Sequence, residues 1–198
     1  MSESPRRRPR QRRSRETVAT LLEAAAQMFD REGWSTTTNR IAERAGLSIG
    51  TLYQYFPDKN ALLHALAERH VREAGVRLGA VFSELRSTTP DFDETMRAIL
   101  AAVVDLHRDR PGLHALMHRA APRLPVELAA LRAFEDHLAQ EISFHLVRLG
   151  RGGGDPDYLA RTLVHAVDAQ VHRVLTRDRP DVDRLMMLVH RLTAEPAG

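Results

Sequence analysis

Residues 37–59 read TTNRIAERAGLSIGTLYQYFPDK. Ile41, Ala42 and Ala45 give the first half a small apolar face at helical spacing, which lets a partner helix come close. Gly46 falls where that helix must stop and turn, a position that favours a left-handed backbone. Leu47 follows as the plug of the turn, and Ser48 can cap the next helix through its hydroxyl. Leu52 and Phe56 are four apart and face inward. Ser48, Gly50, Thr51, Tyr53, Gln54 and Tyr55 are left to face outward. Two short helices hinged on a glycine, the second with hydroxyl, amide and aromatic groups outside, make a helix-turn-helix suited to a major groove.

The flanks read as helix in both directions. Upstream, Arg15 to Arg31 carries Val18, Leu21, Leu22, Ala25 and Phe29 on one face, and Gly33 ends it with Trp34 over the junction. Downstream, Pro57 and Asp58 break the chain and start a helix from Lys59 to Leu85, long enough to tie the head to whatever lies behind it. Further helices are expected over 91–108, from Pro111, from Pro125 to Leu149, from Pro156 to Thr176 and from Pro180 to Thr193. The total is nine helices with no sustained period-two strand, an all-α chain. The Gly150–Gly154 run follows no strand and has no lysine after it, so it is a linker and not a phosphate loop.

Charge is unevenly placed along the 198 residues, whose net charge is +3. Residues 1–15 hold seven arginines and one acid, whereas the remainder holds 22 basic against 25 acidic residues. A basic tail over residues 1–13 cannot bury apolar surface and is expected to be disordered, free to lie along phosphates or enter a minor groove. The chain has no cysteine, so disulfides and thiolate chemistry are excluded. It shows neither a signal peptide nor a run of about 20 apolar residues, so a cytoplasmic protein without membrane contact is expected.

The string Thr-x-x-Ile-Ala-x-x-Ala-Gly-Leu-Ser-x-Gly-Thr-Leu-Tyr-x-Tyr-Phe-x-x-Lys, behind an amphipathic helix, resembles the DNA-binding domain of the TetR family of transcriptional repressors. The likeness spans roughly residues 14–74, with the helix-turn-helix at 37–56, and implies an effector-binding and dimerisation domain over 75–198. It implies double-stranded operator DNA as a partner, a homodimer on a palindromic operator, and release by a small-molecule effector that the sequence does not identify. By the same likeness Thr37, Thr38, Ser48, Thr51, Tyr53, Tyr55 and Lys59 resemble phosphate contacts, which fix register. Ile49, Gly50 and Gln54 are the base readers: Gln54 can pair with an adenine edge and Ile49 can touch a thymine methyl.

Two apolar stripes near the end, Leu163, Val167, Val171 and Val174, then Leu185 and Val189, are the expected subunit interface, as half of a four-helix bundle. Phe82, Met96, Leu100, Met117, Phe134 and His137 are candidate pocket residues, although such stripes also serve as core. His114 and His118 form an i, i+4 pair, and His137, Glu141 and His145 share a face; metal binding at either is set aside, and no metal or cofactor is expected. No Gly-x-Ser-x-Gly elbow occurs, so no enzyme is expected. A ligand-independent DNA-binding regulator, and further behind it a metal-responsive one, are the alternatives.

Overall fold

A computed structural model of the chain describes residues 7–120, 125–174 and 181–193, with side chains described from residue 11 onward except at 120, 125–128, 130, 173 and 174. Nine α-helices and no strand lie among the described residues. They are α1 (Arg7–Glu32), α2 (Thr38–Ala45), α3 (Ile49–Tyr55), α4 (Lys59–Thr88), α5 (Phe92–Arg108), α6 (Pro111–Ala120), α7 (Pro125–Arg148), α8 (Pro156–Ala169) and α9 (Val182–Leu192). A 3-10 turn, Gly33–Ser35, follows α1, and a wide π-helical turn, Gln170–Val174, extends α8.

Helix α1 begins at Arg7, not Arg15, so the second half of the expected tail is helical. Arginine is a good helix former. Pro9 sits in the first turn, where a missing N–H costs nothing. Arg12 pairs with Glu16 one turn on (3.4 Å).

Two apolar cores form. Leu21, Ala25 and Phe29 of α1 meet Ile41, Leu52 and Phe56 and the start of α4 at Leu62, Leu63 and Leu66, a head core. Leu78, Phe82 and Leu85 of α4 pack with α5, α7, α8 and α9 in a body core. Helix α4 belongs to both and, at about 1.5 Å per residue, spans about 45 Å. Helix α6 crosses the expected division at residue 74 in the other direction. Its Leu113, Leu116 and Met117 are buried in the head core although they follow the body helix α5 in sequence.

Asp30 of α1 holds α6 in place, its carboxylate accepting from the first free N–H groups of that helix. Glu23 of α1 pairs with Arg110 just before α6. These polar contacts fix the angle at which α6 lies on the head, since apolar burial alone has no direction.

Candidate nucleic-acid interface and internal pocket

The helix-turn-helix is set by its caps. Thr37 accepts from the Arg40 N–H to start α2, and Ser48 accepts from the Thr51 N–H (3.0 Å) to start α3. Gly46 ends α2 at φ +67°, with its N–H on the Ala42 and Glu43 carbonyls, a conformation a side chain would strain. Leu47 is half-buried against the head core, and Leu52 is fully buried.

The outward face holds most of the expected DNA contacts. Gly50 has only the Ser48 hydroxyl within 4 Å of where a Cβ would stand, so the helix surface there is open. Gln54 is exposed, and Tyr53 is 51% exposed with its hydroxyl 3.0 Å from that of Thr38. That contact ties the start of α2 to α3, so the two groups present one surface. Ile49 and Tyr55 are half-buried and pack against the head core, with only part of each side chain facing outward.

Lys59 braces the turn before α2. Its ammonium donates to the carbonyls of Trp34 and Thr36 (2.9 Å each) and lies 4.5 Å from the Trp34 ring centroid. Trp34 in turn stacks on Phe29 at 6.1 Å. The lysine therefore pins the turn that presents α2. Two of its three donors are used there, so it holds Thr37 and Thr38 in place and keeps a third N–H for a phosphate.

Four of the six expected interface residues are buried within the single subunit. Leu163, Val171, Leu185 and Val189 are 1–5% exposed and buried in the body core of the single subunit, and Val167 is half-buried against it. The Val174 side chain lies outside the described residues. A helical stripe records that a face is covered, and here α5 and α7 do the covering. The large apolar groups left exposed on α8 and α9 are Tyr158 (65%) and Met187 (56%).

A cavity of about 310 Å³ lies between α4, α5, α6, α7 and α8. Of the expected pocket residues, Met117 and Phe134 line it. Met96 and Leu100 line a separate cavity of about 50 Å³ in the body core. Phe82 is core, stacked on the buried His145 at 6.2 Å. His137 is exposed on α7, away from the cavity. Glu141, on the same face, pairs with Arg86 (2.8 Å), so no metal-type group forms there.

The walls instead bring together five histidines, His70, His107, His114, His118 and His172, with Asp168. Burial, helped by the neighbouring imidazoles, lowers His70 to about 3. Burial likewise lowers His107 and His114, each to about 4, so these rings are neutral near pH 7. Burial works against the Asp168 carboxylate, but the hydrogen bond from His172 and the nearby charges of His172, His118 and His107 together outweigh it and hold the group below its usual range. Burial also raises Glu135 at the cavity edge. Of these, the sequence exposed only the His114–His118 spacing.

A helix-turn-helix head whose core is shared with a hollow helical body defines a DNA-binding regulator. Residues 21–66 match the family described as bacterial regulatory proteins, tetR family, and residues 91–193 match the tetracyclin repressor-like C-terminal domain. The chain belongs to the tetR family of DNA-binding transcriptional regulators, which are not enzymes. It is 30% identical to the nucleoid occlusion factor SlmA of Actinobacillus pleuropneumoniae serotype 5b (strain L20) over 146 residues, 70% of each chain. A TetR-like transcriptional regulator from Rhodococcus sp. RHA1 shares the fold with a TM-score of 0.66 at 22% identity, covering 89% of this chain and 93% of that one. The SmeT–triclosan complex aligns with a TM-score of 0.61 at 25% identity, over 90% of each chain. No helix among the described residues is long and apolar enough to cross a membrane.

Proposed function

We propose that the protein is a ligand-responsive repressor, a homodimer that holds a palindromic operator and lets go when an effector fills the cavity. The observation that carries this reading is the double membership of α4 and α6. Both helices wall the cavity, and both bury side chains in the head core. A ligand that prefers one spacing of these helices therefore biases the pose of the heads, and that preference is the whole of the coupling. The solved complex of SmeT with triclosan lends support, being a similar chain with a small molecule bound.

In the dimer the outward faces of α8 and α9, with Tyr158 and Met187, meet their symmetry mates. A two-fold pair then sets the heads about one helical turn apart, on inverted half-sites. Thr37, Thr38, Ser48, Thr51 and Tyr53 hold phosphates, and Gln54 and Gly50 read bases. A cytoplasmic location fits work on DNA.

The test is a reporter driven by the operator, screened against a compound library. Replacing Phe134 with Trp fills the cavity while leaving the head untouched. The variant is expected to repress as the parent does and to lose response to any inducer at least about tenfold. A library-wide lack of inducers, with repression intact, would favour ligand-independent regulation.

A further inference from the structure

The cavity is lined by two groups of metal-ligand type, each drawn from distant parts of the chain. His70 on α4, His107 on α5 and His114 on α6 place one donor atom each within 4.8 Å of the others. His118 on α6, Asp168 on α8 and His172 on the π turn do the same. The two groups touch, the rings of His107 and His172 being 4.6 Å apart; within the second group His118 and His172 stack at 4.7 Å. We propose that this cavity binds divalent transition-metal ions, one at each group, and that such an ion is the effector. The proposal rests on the reading of the cavity as the effector site.

The protonation pattern of the rings suits ligation. His107 Nδ1 lies 2.8 Å from the Val103 carbonyl. A carbonyl only accepts, so Nδ1 carries the proton and Nε2 presents its lone pair. That Nε2 is buried with no hydrogen-bond partner among the described residues, and so is Nδ1 of His114. Two buried nitrogens without partners are costly in an apolar cavity, and one ion satisfies both. His172 repeats the arrangement, its Nδ1 donating to the Asp168 carbonyl (3.1 Å) with the Asp168 carboxylate at 2.9 Å. A second N–H bonded to carbonyl or carboxylate is how metal-bound imidazoles are oriented.

The donor set chooses the ion. Three imidazoles on one side, and two with a carboxylate on the other, suit zinc, cobalt or nickel and not calcium or magnesium, which take oxygen. Zinc-to-nitrogen bonds are about 2.0–2.1 Å, which places donors on one tetrahedral ion about 3.3 Å apart. Closing each group from its present spread draws α6 inward. The same helix holds Leu113 and Leu116 in the head core, so the pull is delivered to the DNA-binding surface.

Full-length protein, stripped of metal, is titrated with Zn²⁺ by calorimetry and with Co²⁺ by absorption. Two equivalents per subunit and the d–d bands of tetrahedral cobalt are expected. His107→Leu and His172→Leu should each remove one equivalent, weakening that site at least about a hundredfold, beyond what removing a ligand's hydrogen-bond partner costs. His114→Gln tests the first group again should His107→Leu fail to fold, as circular dichroism reports. His137→Ala, exposed on α7, should keep both equivalents. A single equivalent lost in His107→Leu alone overturns the second site. No binding, or binding unchanged in both leucine variants, overturns the metal assignment. Operator release by Zn²⁺ is measured separately. Zn²⁺ that binds at the histidines without releasing DNA overturns its role as effector. An organic inducer blocked by Phe134→Trp, with no Zn²⁺ binding, overturns the metal assignment and leaves the repressor reading intact.

Discussion

Asp30, in the last turn of α1, accepts at Oδ1 a 2.9 Å hydrogen bond from the backbone N–H of Gly112, and a second of 3.2 Å from Leu113. A carboxylate from the head thus caps a helix of the cavity wall, favoured by both the free amides and the dipole of α6. Asp30→Ala should cost about 0.5–2 kcal/mol in thermal unfolding. It should also blunt the effector response, because α6 then moves without α1. Asp30→Asn keeps an acceptor and should restore most of both.

Gly112 tests the same joint sterically. A Cβ there would run into the Asp30 backbone carbonyl, which cannot swing aside as a side chain would. Gly112→Ala should therefore separate α1 from α6 and destabilise the fold by about 1–3 kcal/mol, read in denaturant unfolding. Gly79, open on every side, should tolerate alanine without loss.

Val189 and Met187 separate core from interface. Val189 is 2% exposed inside the subunit, so Val189→Asp should unfold the chain, at several kcal/mol, and not release an intact monomer. Tyr158→Glu with Met187→Glu should do the opposite, keeping helical content while halving the mass in sedimentation. An unfolded glutamate pair, or a folded dimer, would remove these faces from the interface.

Lys59 and Gln54 should fail differently on DNA. Gln54→Ala removes a base contact and should weaken operator binding by about 1–3 kcal/mol, with non-specific binding little changed. Lys59→Met frees the Trp34–Thr36 turn and should weaken both together, with a lower unfolding temperature. Anisotropy titrations on operator and scrambled DNA distinguish the two.

The arginines at the start of α1 should add charge without sequence. Deleting residues 2–14 should lower the salt slope of binding by about 0.9 for each phosphate those arginines neutralise, with the preferred sequence unchanged. An unaltered slope would mean that these side chains never reach the backbone of the DNA.

The head was legible in the sequence because its signals are local. Thr37, Gly46 and Ser48 act within four residues of themselves, and Leu52 and Phe56 show their shared face by spacing alone. Burial at Leu185 and Val189 was equally visible, but what covers them was not, since periodicity does not name the opposing helix. The bracing role of Lys59 was hidden for a related reason: its partners are carbonyls 23 and 25 residues back, which no side-chain pattern records. The histidine groups were hidden because His70 and His172 come together only through the packing of α4, α5, α6 and α8.

Selection of bound sequences from random DNA, followed by footprinting and mass determination of the complex, shows whether this is a two-headed regulator of inverted half-sites. An inverted repeat should be enriched, its half-sites about one helical turn apart, protected by an even number of subunits and lost with Gln54→Ala. Enrichment of no sequence, or of a single unpaired site held by one subunit, would contradict a two-headed regulator.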